Sequence, residues 1–196
     1  MKKLSIIFCI CTLLLCNLLA GCGSKPADEP TKSQETVIES AVDFYTEVWD
    51  ALGEDRQFAA VGGDAEHEAE APAKFAMTDE NKETFEYLLH VNDELYDMLD
   101  DDTATLQHMM NTNTFSSAFA KLKDTSKAEK FAEDYKAEIQ GQHWMCGFPD
   151  KVVVISVADY VMMAYGAEEC VDDLVEACSE VAPDSTVLVD APAVLD

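Results

Sequence analysis

The chain has 196 residues, 39 acidic against 13 basic side chains and a formal charge of −26, with 48% of its residues hydrophobic. A surface this acidic repels phosphate backbones and anionic headgroups, which disfavours nucleic acid and electrostatic docking to lipid and leaves cationic or neutral partners. The length suits one globular domain and is short for a two-lobed receptor, each lobe of which needs its own core.

At the N-terminus, Lys2-Lys3 precedes an apolar run over residues 4–20 that Ser5, Thr12 and Asn17 interrupt. A membrane-spanning helix needs about 20 apolar residues, so a cleaved export signal is the better reading. Leu19-Ala20-Gly21 stands immediately before Cys22. These residues resemble the lipobox of bacterial lipoproteins. The resemblance implies cleavage of residues 1–21, a thioether-linked diacylglycerol on Cys22 and residence on the extracytoplasmic face of a bacterial membrane, anchored through membrane lipid. No other cofactor is expected. Two acyl chains suffice for stable anchoring where one holds only marginally. The processed chain would carry 11 basic against 39 acidic residues, a charge of −28, because the leader removes Lys2 and Lys3 and no acid. Residues 22–34, rich in Gly, Ser, Pro and charge, read as a flexible tether with a reach of about 20 Å.

A single α+β domain is expected over 35–190, followed by a tail at 191–196. Val37, Ile38, Ala41, Val42, Tyr45, Val48, Trp49 and Leu52 recur at three- and four-residue steps and predict an amphipathic helix over 35–52. Residues 54–74, with Gly62-Gly63 and an acidic Ala-rich run, hold no sustained period and read as irregular and mobile. Thr78 then opens a second helix, whose stripe of Phe85, Leu88, Leu89, Leu95, Met98 and Leu99 ends near Asp100-Asp101-Asp102. Alternation over 114–122 predicts a strand with Phe115 and Phe119 on one face and Ala118, Ala120 and Leu122 on the other. Ser126 and Glu129 form a capping box for a helix through Ile139. Residues 152–157 and 160–165 predict a hairpin turning at Ala158-Asp159; a helix over 167–181 and a short edge strand over 186–189 follow. The order in 114–190 predicts a ferredoxin-like βαββαβ unit, a small antiparallel sheet with helices on one face, preceded by the two amphipathic helices. Gln107–Asn111 and Trp144–Lys151 resemble segments of a group of uncharacterised bacterial lipoproteins, a likeness that supports the surface location and the fold and supplies no catalytic residues.

Of seven cysteines, Cys9, Cys11 and Cys16 lie in the leader and Cys22 at the anchor, leaving Cys146, Cys170 and Cys178. Cys170 and Cys178, about 12 Å apart along one helix, are too far apart to bridge and share its apolar stripe, so they read as core thiols. The strongest chemical constellation is His108-Met109-Met110 with His143, Met145 and Cys146. Thioether, imidazole and thiolate suit a soft metal such as Cu(I) if the two segments meet in space. Cys146 with His143 could also form a thiol nucleophile and its base, although the surrounding string matches no catalytic cysteine signature. The acidic run from Asp100 lacks the glycine and glutamate an EF-hand requires, since Thr105 and Asn111 occupy those places. His67, between two glutamates, offers at most a weak metal contact. No catalytic residue is assigned. The expected role is a non-enzymatic binding or accessory module of the cell envelope, with a cationic or neutral protein or peptide as partner. The alternatives are a thiol- or metal-dependent enzyme or soft-metal binder centred on the Cys146 loop, and a small ligand receptor for a transporter.

Overall fold

A computed structural model describes residues 36–110 and 114–195; the leader, Cys22 and the tether lie outside the described residues. In chain order the elements are α1 (Ala41–Ala51), β1 (Ala60–Val61), β2 (Ala73–Lys74), α2 (Lys82–Leu89), α3 (Asp93–Asp97), β3 (Leu99–His108), β4 (Ser116–Leu122), α4 (Ala128–Gly141), β5 (Lys151–Val157), β6 (Tyr160–Gly166), α5 (Glu168–Val181) and β7 (Thr186–Pro192). The fold is α+β, and every strand pairing is antiparallel. The sheet runs β1-β3-β4-β6-β5-β7, with β2 also paired to β3.

The alternation over 114–122 has the predicted faces. Phe115 and Phe119 join one core, and Ala118, Ala120 and Leu122 join the other. The existence of two cores corrects the expectation of helices on one face. Tyr45, Val48 and Trp49 of α1 and Leu174 and Cys178 of α5 pack on the first, while Phe85, Leu95, Phe131, Tyr135 and Ile139 of α2, α3 and α4 pack on the second. Topology supplies the reason. In a ferredoxin-like sheet the last strand returns to the edge beside the first. Here β3 already holds that edge of β4, and β7 pairs with β5 instead. The crossovers β4-α4-β5 and β6-α5-β7 therefore step in the same direction along the sheet, starting from antiparallel strands. Right-handed connections of that kind place their helices on opposite faces. Covered on both sides, β6 buries every residue from Tyr160 to Gly166. That explains its unbroken apolar run, each large side chain contributing about 1.5–3 kcal/mol.

Three local expectations change. The acidic run 100–102 does not end a helix but belongs to β3, where the register with β4 shifts between Leu99 and Thr103 and the acids occupy the irregularity. The helix expected from Thr78 starts at Lys82 and is broken: His90 is left-handed at φ 53°, and Asn92 caps α3 by accepting from Leu95 N at 2.9 Å. Asp124 caps the 3-10 turn over Thr125–Lys127 that leads into α4, accepting from Ser126 N at 3.1 Å, and the N-cap position of α4 is Lys127, which makes no side-chain cap bond, so Ser126 is not the capping residue.

Segment 54–74 is tied to the sheet edge through β1 and β2. Gly62 is pressed between strands: a Cβ there would lie 2.3 Å from the Ala71 carbonyl oxygen and 2.4 Å from that of Thr105. His67 is held by Asp64, to which its Nδ1 donates at 2.8 Å.

Candidate ligand cleft

At one end of the sheet four segments and a strand residue enclose a cleft of about 280 Å³. The end of α2 supplies Tyr87, Leu88 and His90; β3 ends there with Gln107 and His108; Thr114, Phe115 and Ser116 open β4. The loop after α4 contributes residues 142–146, and Tyr165 of β6 closes the wall. Antiparallel pairing explains the convergence. Gln107 stands opposite Ser116 and Ser116 opposite Tyr165, so the ends of three strands coincide.

His90, Trp144 and Tyr165 form a ring cluster, with centroids 4.9 Å apart for His90–Trp144, 5.4 Å for His90–Tyr165 and 5.5 Å for Trp144–Tyr165. The Tyr165 hydroxyl donates to the Leu88 carbonyl at 2.9 Å, fastening β6 to α2. Burial pushes the Tyr165 pKa up to about 12, so it stays a neutral donor. Burial also lowers the pKa of both His90 and His108, favouring neutral imidazoles. His108 stacks on Phe58 at 4.5 Å, and its Nδ1 accepts from Met110 N at 2.9 Å.

No family model, curated protein or solved structure matches the chain. The cleft must therefore be read from its own chemistry. None of the fourteen described residues that line it is Asp, Glu, Lys or Arg, although those types make up 27% of the chain. An even distribution would place about four there.

Of the residues singled out in the sequence, His108, His143, Met145 and Cys146 line this cleft, so the two segments do meet. Met109 and Met110 are exposed and do not line it; among the described residues no three His, Cys, Asp or Glu are placed to hold a metal ion. The imidazoles and the thiol ring the space without converging on a point. Cys146 is exposed, Cys170 half-buried and Cys178 buried, none in a disulfide. Burial raises the Cys170 thiol and pushes that of Cys178 up to about 12, in keeping with inert core thiols. Tyr87, His90, Thr114 and Tyr165 were missed in the sequence, because each belongs to an element whose pattern signals only its packing face.

Proposed function

We propose that this protein is a lipid-anchored extracytoplasmic lipoprotein whose α+β domain is a binding module, with the cleft as its binding site. The observation that supports this reading is a cleft with no Asp, Glu, Lys or Arg among the described residues that line it, within a strongly acidic chain. A concave site with a few convergent polar groups is the usual form of a ligand site. The lipobox at Leu19–Cys22 supports the anchor, and the acyl chains supply the membrane attachment that the surface charge cannot.

Fractionation and mass spectrometry test the anchor. The wild-type chain is expected in the membrane fraction with a mature N-terminus at Cys22 carrying diacylglycerol, and Cys22→Ser in the soluble fraction. Recovery of both at the membrane would refute lipid anchoring. For the binding site, a photo-crosslinking residue at Met145, 80% exposed on the cleft loop, is introduced in intact cells. A discrete adduct that disappears when Trp144 is replaced supports the module; the same adducts from a probe on the far surface at Glu176 count against it.

The presence of both His143 and Cys146 on the cleft favours one competing reading, thiol-dependent catalysis. Cys146→Ser separates the two: a binding module keeps its ligand, whereas a thiol enzyme loses all turnover.

A further inference from the structure

We propose that the cleft binds an uncharged saccharide unit. This rests on the binding-module reading and gives its ligand a chemical class. At about 280 Å³ the space lies just below the usual range of ligand sites, about 300–1,000 Å³, and suits one small unit such as a sugar ring. A metal ion is disfavoured because the imidazoles and the thiol do not converge. An ionised ligand would find no Lys, Arg, Asp or Glu among the described residues of the walls to pair with, and His90 and His108 are biased toward neutrality by burial.

A purely apolar ligand fits no better, since imidazoles, amides and hydroxyls share the walls. The Trp144 indole Nε1 and the Thr114 hydroxyl are buried and have no hydrogen-bond partner among the described residues. A buried polar group in that state bears its full desolvation cost, and a small reorientation of either side chain toward the cleft would let a ligand offering hydrogen bonds offset it. Gln142 donates through Nε2 to the Glu138 carbonyl at 3.2 Å, a bond that leaves its side-chain oxygen to accept. Sugar hydroxyls both donate and accept, as this mixed set requires. Sugars also carry an apolar C–H face that packs on rings, and Tyr87, 77% exposed at the mouth, and Trp144 present such rings.

Backbone strain falls at the same place. Three non-glycine residues have positive φ among those described, and two of them, His90 at 53° and Thr114 at 47°, line the cleft. Left-handed backbone is unfavourable for β-branched threonine, and strain of this kind concentrates at ligand sites.

The test uses the full-length chain purified from membranes in a detergent without a sugar headgroup. Calorimetric titration with neutral mono- and disaccharides, uncharged nucleosides and Cu(I) is paired with an array of neutral glycans, which separates free sugars from terminal units of longer chains. At least one neutral saccharide is expected to bind with a millimolar or tighter Kd. Trp144→Phe, which keeps a ring but removes the N–H, should weaken it by about 3–10-fold, and Tyr87→Ala should weaken it as well, both with melting temperatures close to wild type. Equal affinity in wild type and both variants would overturn the assignment. Nucleosides or Cu(I) binding where no sugar does would overturn the saccharide and leave the module standing; absence of any cleft ligand, together with no Trp144-dependent adduct in cells, would overturn both.

Discussion

Asp64 is a carboxylate with only 5% of its surface exposed. It accepts from Ala76 N at 2.7 Å, Glu66 N at 2.9 Å, His67 N at 3.1 Å and His67 Nδ1 at 2.8 Å. Burial alone would raise its pKa, but the bonds from Ala76, His67 and Glu66 together outweigh burial and hold it below the ordinary value. Its charge therefore organises the 54–74 segment that composition suggested was loose. Asp64→Ala strands several amides at once and is expected to cost about 3 kcal/mol, and Asp64→Asn less, since the amide keeps one acceptor. The folded state binds the Asp64 proton more weakly than the unfolded chain does. Its contribution is thus complete above about pH 4 and fades as pH falls through the lowered folded value. Denaturant titrations of wild type and Asp64→Asn should show a stability gap that narrows toward acid. A gap that widened would contradict this account.

Between elements, Asp102 is the clearest joint. From β3 it accepts from Ala41 N at 3.0 Å, in the first turn of α1, and from the Tyr160 hydroxyl of β6 at 2.6 Å. One carboxylate thus satisfies an orphan amide at a helix N-terminus and pins two strands to α1. Asp102→Ala is expected to cost about 2 kcal/mol, lowering the melting temperature by about 4–8 °C, which a thermal melt followed by circular dichroism reads directly. A change under a degree would mean that solvent replaces both bonds. Asp102 also shows why β3 was not legible in sequence. Three consecutive acids look like a helix stop or a solvated face, and only pairing across the sheet reveals that they fill an irregularity in a strand. By contrast, β4, α4, β5, β6 and α5 could be read from local periodicity, because each buries at least one face, and β7, which buries only Val189, was legible as a short edge strand from its β-branched run. The sides on which α4 and α5 lie depend on which edge β7 takes, a long-range choice no local pattern records.

At the scale of the molecule, the candidate site was half legible. Chemistry-bearing residues drew attention to His108 and the Cys146 loop, but the lack of Asp, Glu, Lys and Arg among the described residues of the cleft appears only when five separate parts of the chain are brought together. The same contrast governs the response to salt. Named ion pairs such as Lys82–Asp93 at 2.5 Å and Lys151–Asp190 at 3.0 Å lie at or near the surface, where such pairs are worth about 0–1 kcal/mol each. With 39 acids against 13 bases, most carboxylates have no cation to pair with, so repulsion among them outweighs the pairs. Raising NaCl from about 10 mM to about 0.5 M shortens the Debye length from about 30 Å to under 8 Å and should raise the melting temperature by several degrees. A lower melting temperature would show that the ion pairs dominate. Binding in the cleft should respond differently: an uncharged ligand has no Coulomb energy with the walls to screen, so its Kd should stay within about twofold over the same range. A tenfold weakening with salt would mean that the ligand carries charge and that the acidic surface outside the cleft takes part in holding it.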